Sequence, residues 1–139
     1  MIEYHYELDF KLNQEDKYTS WINRLAETEN KSVGDLTYIF CDDAYLIEIN
    51  RQYLDHDTYT DIITFDYTEG TVLGGDIFIS IERVKENALE FGVDFQDELL
   101  RVMAHGILHL SGYKDKEVED VQLMRSKENE KIKLFHVEH

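Results

Sequence analysis

Residues 61–80 constrain the fold more than any other stretch. Asp61-Ile62-Ile63-Thr64-Phe65-Asp66-Tyr67 and Leu73-Gly74-Gly75-Asp76-Ile77-Phe78-Ile79-Ser80 are rich in β-branched and aromatic residues. Thr68-Glu69-Gly70 turns the chain between them, so the pair is expected to form a hairpin. After Ser80 the pattern is helical, over about 81–91, 95–110 and 118–135, with Gly92 at a helix end and Asp94 at the next N-cap. Upstream, residues 2–10 alternate loosely and 32–40 read as a second strand. Between them, Tyr18, Trp21, Ile22 and Leu25 mark a helix over 16–29. Asp42 or Asp43 caps another helix, whose apolar face is Tyr45, Leu46, Ile49 and Tyr53, and a polar loop follows at 55–59. With no linker or repeat, this order predicts one α+β domain over 1–139: a small mixed sheet of about four strands packed with about five helices.

Composition narrows the class. A chain of 139 residues, 42% hydrophobic and 32% charged, buries a core and is not disordered. No stretch is long and apolar enough to span a bilayer, so no membrane partner is expected. The start lacks a basic n-region and an apolar h-region, so a cytoplasmic location is expected. The single cysteine, Cys41, follows Tyr38-Ile39-Phe40; it suits a reducing compartment and reads as a small buried hydrophobe. The net charge of −16 repels phosphate backbones at long range. A nucleic-acid substrate therefore requires cations concentrated at a site, and no DNA partner is expected.

The segment that carries chemistry is His105-Gly106-Ile107-Leu108-His109-Leu110-Ser111-Gly112-Tyr113-Lys114-Asp115. Histidines at i and i+4 share a helix face, so both imidazoles reach one ion. Gly112 can end the helix sharply and bring Asp115 back over the histidines. Two imidazoles and a carboxylate leave one position open on a tetrahedral ion, as in catalytic sites. On a helical wheel His109 lies about 40° and Glu98 about 20° from His105, while the apolar residues cluster at about 120–220°. The histidines thus face away from the apolar centre, either as ligands or as plain surface histidines.

Four blocks together resemble the YbeY family of metal-dependent rRNA-maturation endoribonucleases. The chain reads HGILHLSGYKD over 105–115, similar to the family's HGxLHLxGYDH. Thr60-Asp61-Ile62-Ile63-Thr64-Phe65 is similar to TDVLSF, and Gly75-Asp76-Ile77-Phe78-Ile79-Ser80 to GDIxIS. Ile49-Asn50 matches an LN that precedes the first of these. The resemblance covers about residues 35–120. It implies a ribosome-associated hydrolase with zinc, or another divalent transition metal, held by three histidines. Counting from His109, the third falls on Asp115, so the expected ligand set is His105, His109 and Asp115. An anionic ligand lowers the charge felt by bound water. The family also carries a Tyr-Arg pair where this chain has Tyr53-Leu54. Arg51, one helical turn earlier, is the candidate replacement, against the plainer reading of a solvated helix residue.

The expected chemistry is metal-assisted hydrolysis of a phosphodiester. Gly106 stands where HExxH peptidases carry a glutamate, which argues against a peptidase and suggests room for a bulky substrate. Glu98 is either an exposed residue or a hydrogen-bond partner for an imidazole N–H. Arg51, Arg101, Lys114 and Lys116 are the candidate cations, with Lys114 and the loop residue His56 as candidate substrate contacts. These few cations against −16 suggest ribosomal RNA presented by a ribosomal particle or a basic protein partner. Three rivals stand beside this reading. One is a metallohydrolase of another substrate class, and another a non-haem iron facial triad. The third is a non-catalytic assembly factor whose structural ion takes His56 or His136 as fourth ligand.

Overall fold

The computed structural model describes residues 1–54 and 60–137. Along the described chain run β1 (Ile2–Tyr6), α1 (Glu15–Thr28), β2 (Ser32–Cys41), α2 (Asp43–Leu54), β3 (Ile62–Asp66) and β4 (Val72–Ser80). Three helices follow: α3 (Ile81–Phe91), α4 (Phe95–Leu110) and α5 (Val118–Phe135). The hairpin forms: β3 pairs antiparallel with β4, Thr64 opposite Ile77. On its other side β4 pairs parallel with β2, and β2 pairs parallel with β1. The sheet order is β1-β2-β4-β3, the mixed four-stranded α+β arrangement expected from the sequence. Parallel neighbours need long crossovers. Here α1 links β1 to β2, while α2 and β3 lie between β2 and β4.

β1 is shorter than the alternation over 2–10 suggests. The Glu7 amide still donates to the Phe40 carbonyl, at 2.8 Å, but the Phe10 amide then turns back onto Leu8. Exposure keeps alternating through Phe10, because Leu8 and Phe10 still pack on the core. The Phe10 ring sits against Phe40 and Phe95. Period-two patterning reports side-chain packing, and here packing outlasts strand pairing.

The main core fills one face of the sheet. Leu36, Tyr38, Phe40, Leu73, Ile77 and Ile79 meet Trp21, Ile22 and Leu25 of α1 and Leu100, Met103 and Ile107 of α4. Each such buried side chain stabilises the fold by about 1.5–3 kcal/mol. On the opposite face a smaller cluster joins Cys41 and Ile63 to Leu46 of α2. Cys41 is fully buried, as expected for a small hydrophobe, and its thiol donates to the Ile79 carbonyl.

The C-terminal helix docks through an unusual stripe. Met124, Glu128, Lys131 and Phe135 recur at spacings of four, three and four, so they share one face of α5, and all are buried. Phe135 packs edge-on against Trp21. The Trp21 indole N–H donates to the Lys131 carbonyl at 2.7 Å. The Lys131 ammonium is satisfied by Glu29 and Glu130, each at 2.7 Å, and by Thr28 at 2.9 Å.

Gly106 corrects an expectation. It does not open the site to a bulky substrate; it is buried against the sheet. A Cβ there would lie 2.9 Å from Ile77 Cδ1, 3.1 Å from Ile77 Cγ2 and 3.3 Å from Ile62 Cδ1. The missing side chain brings α4 close to β3 and β4, so the histidines on either side of it stand near the end of the hairpin.

Candidate metal centre

His105 and His109 sit one turn apart on α4, with ring centroids 4.6 Å apart. The helix then stops as anticipated. Gly112 takes φ 106, a left-handed value that favours glycine, and the Tyr113 amide donates back to the Leu108 carbonyl at 3.0 Å. Past this turn the chain returns over the histidines. Asp115 Oδ2 lies 3.3 Å from His105 Nε2 and 3.2 Å from His109 Nε2. The returning segment is tied down from elsewhere: the Tyr113 hydroxyl donates to Glu29 at 2.6 Å, and the Lys127 ammonium lies over its ring.

These donors suit a small divalent ion. Metal–ligand bonds of about 2.0–2.1 Å in a tetrahedron set ligand atoms about 3.3 Å apart. The two imidazole–carboxylate separations match that edge, and all three donor atoms lie within 4.8 Å of one another. A second carboxylate adds a chemical argument. Glu128 Oε2 lies 2.8 Å from His105 Nδ1, so both ring nitrogens of His105 face carboxylate oxygens. A neutral imidazole has one N–H for these two acceptors. The other nitrogen would press a lone pair against Asp115 unless a proton or a metal cation lies between them. Burial alone would lower the His105 pKa, but the hydrogen bond and charge of Glu128, followed by the charges of Asp115 and Asp61, raise it above the ordinary value.

Glu128 is the residue that sequence reasoning missed. Glu98 was the anticipated imidazole partner or else an exposed residue, and the structure supports neither. It is buried, 3.8 Å from Arg101 Nε. Arg101 in turn places Nη1 3.1 Å from Glu128 Oε1. The wheel of α4 could not reveal this, because the stripe bearing Glu98, Arg101 and His105 is covered by α5. A buried glutamate on α5's own docking stripe was the available signal.

Two cavities flank the cluster. One is lined by Asp61, Asn87, Phe91, Arg101, His105 and Met124, among others. The second runs along β3 past Asn50, Thr60, Asp61 and Thr64 to both histidines and Asp115. Asp61 borders both. Burial raises its carboxyl pKa, an effect partly offset by its own backbone amide, His105 and Arg83. Of the candidate cations, Arg51 pairs with Glu48 at 2.8 Å on the exposed side of α2. Lys114 and Lys116 are exposed in the segment carrying Asp115. His136 faces Asp97 at 3.6 Å and is not part of the three-residue cluster. His56 lies outside the described residues.

Fold and site together define a small α+β protein in which two imidazoles and a carboxylate converge on a group that could hold a metal ion. Sequence comparison makes this specific: the model of the Endoribonuclease YbeY family matches residues 3–136, and the chain belongs to that family. The Endoribonuclease YbeY of Flavobacterium psychrophilum is 59% identical over 137 residues, covering 99% of this chain and 98% of the relative. That of Bacteroides fragilis is 49% identical, covering 84% of each. The solution structure of TM1509 from Thermotoga maritima superposes with a TM-score of 0.68 at 28% identity, covering 97% of this chain and 89% of that one. The substitution of Asp115 for the expected third histidine leaves a carboxylate in contact with both imidazoles.

Proposed function

We propose that the chain is a metal-dependent endoribonuclease acting in rRNA maturation and ribosome quality control in the cytoplasm, with one zinc ion held by His105, His109 and Asp115. The observation that carries the metal assignment is the convergence of Asp115 Oδ2 on two imidazoles, one of which has its other nitrogen committed to Glu128. When bound, the ion supplies a Lewis acid beside the phosphodiester. The protein's own residues do the rest. Asp115 and Glu128 hold the His105 ring from both sides. Asp61 lies beside His105 in both cavities, and burial raises its carboxyl pKa, which makes its carboxylate a more basic proton acceptor. Lys114 stands next to the ligand Asp115 and contacts substrate from the rim.

Charge shapes how RNA arrives. Arg101 is engaged by Glu98 and Glu128, and Arg51 pairs with Glu48, so neither is a bare cation for phosphate. With a net charge of −16, the chain binds free RNA weakly, and a ribosomal particle or basic protein presents the substrate. The test combines metal analysis with RNA cleavage for wild type, His109→Ala and Asp115→Ala. Stoichiometric zinc and metal-dependent cleavage are expected in wild type, with both reduced in the variants. Full zinc occupancy in Asp115→Ala would remove it from the ligand set. Undiminished cleavage by His109→Ala would place the activity elsewhere. A steep salt dependence on naked RNA would refute the need for a presenting partner.

A further inference from the structure

The two histidines of the cluster are not equivalent. His109 is held near Asp115 through Nε2, whereas His105 is gripped through both nitrogens. Its second grip comes from α5. Glu128 is almost wholly buried, with its side chain 6% exposed, and its two oxygens have different tasks. Oε2 lies 2.8 Å from His105 Nδ1, while Oε1 lies 3.1 Å from Arg101 Nη1 and 3.8 Å from Arg125 Nε. Arg101 stands one helical turn before His105 on α4 and is braced from behind by Glu98. The carboxylate therefore cannot rotate away from the imidazole without leaving Arg101 short of a partner in a largely buried setting.

We propose that Glu128 is a positioning residue that fixes His105 in the Nδ1–H tautomer and presents its Nε2 lone pair to the metal, with Arg101 orienting the carboxylate. The inference rests on the proposed ligand role of His105. Its chemistry is that of a histidine ligand whose other nitrogen donates to a carboxylate. Such a bond sets ring orientation and makes the ligating nitrogen more basic. Glutamine can replace the carboxylate in volume but not in charge. If its single oxygen accepts from His105, its amide N–H groups face the Arg101 guanidinium, donor against donor.

The test uses the full chain and zinc alone as probe. Zinc dissociation constants are measured by chelator competition for wild type, Glu128→Gln, Glu128→Asp, Glu98→Gln and His109→Ala. In parallel, imidazole nitrogen chemical shifts in metal-free protein, recorded at a pH high enough for the His105 ring to be neutral, report its tautomer. Glu128→Gln should weaken zinc binding about 10–100-fold and add the Nε2–H tautomer at His105. Glu128→Asp, which keeps the charge, should recover part of the affinity. Glu98→Gln, at a buried carboxyl that braces Arg101 without touching His105, should change affinity much less. Unchanged affinity and tautomer in Glu128→Gln, with His109→Ala abolishing binding, would overturn the inference and leave the metal site intact. An equal loss in Glu98→Gln would reduce Glu128 to a general packing role and also overturn it. A wild-type protein that binds no zinc would overturn the ligand assignment and the inference together.

Discussion

Gly106→Ala sets two opposing effects against each other. In an exposed helix, alanine for glycine stabilises by about 1 kcal/mol. At position 106 the added carbon would meet Ile77 Cδ1 at 2.9 Å, Ile77 Cγ2 at 3.1 Å and Ile62 Cδ1 at 3.3 Å. Carbon pairs prefer about 3.5–4.0 Å. The Cδ1 atoms can swing aside, but Cγ2 is fixed to Ile77 Cβ, so α4 must lift from the sheet. Overpacking of this kind costs about 1–3 kcal/mol. The net expectation is a loss of about 1 kcal/mol, read as a lower urea midpoint with an unchanged m-value. Zinc affinity should fall too, because Asp115 is tethered through Tyr113 to Glu29 and does not move with α4. Ile77→Ala removes Cγ2 together with Cδ1 and by itself costs about 2–5 kcal/mol. Combined with Gly106→Ala it should cost less than the sum, by at least about 0.5 kcal/mol. A Gly106→Ala protein about 1 kcal/mol more stable than wild type would show that propensity alone governs the position and refute the close-packing argument. Strict additivity with Ile77→Ala would refute the named contact.

Three further outcomes follow from the same structure. Burial pushes the Cys41 thiol up to about 12, so a thiol reagent at pH 8 should label the native protein far more slowly than the urea-unfolded chain. For Glu29, burial acts to raise the pKa, but hydrogen bonds from Lys131 and Tyr113 and the charges of Lys131 and Lys127 outweigh it and lower the pKa below 4.5. A depressed carboxyl pKa contributes stability above the unfolded value and loses it as pH falls through the folded one. Lys131→Met should therefore destabilise by about 3 kcal/mol near neutrality, and urea midpoints should show the gap from wild type shrinking as pH drops below 4.5. Gly112→Ala forces an alanine to φ 106 with nothing crowding its Cβ, so it should cost about 1–3 kcal/mol through backbone strain alone, measured by chemical denaturation, and weaken zinc binding in a chelator titration.

Much of this was legible in the residues themselves. The hairpin, α3 with its Gly92 stop and the i,i+4 histidines are local features, and local spacing encodes them. The return of Asp115 was legible because Gly112 marks the turn and the spacing supplies the ligand. What escaped depends on neighbours distant in sequence. Residues 7–10 keep an alternating pattern after leaving the sheet. Gly106 reads as an opening on α4 alone, whereas β3 and β4 pack against it. Glu98 looked exposed on an isolated helix, but α5 buries that stripe and brings Glu128 to His105 across 23 residues. Wheels and runs describe one element at a time, whereas tertiary cover decides which polar groups share a pocket.

The split origin of the cluster has a consequence for how the protein matures. The histidine pair exists as soon as α4 coils, but Asp115 is stapled by Tyr113 to α1, and Glu128 arrives only with α5. A chain whose last helix has not docked keeps the histidines and Asp115 but lacks the Glu128 grip on His105. On the proposed ligand set, full metal affinity therefore requires the C-terminal helix to be docked. The ion, once held, should act as a latch on the C-terminal helix, slowing amide exchange there more than in α4.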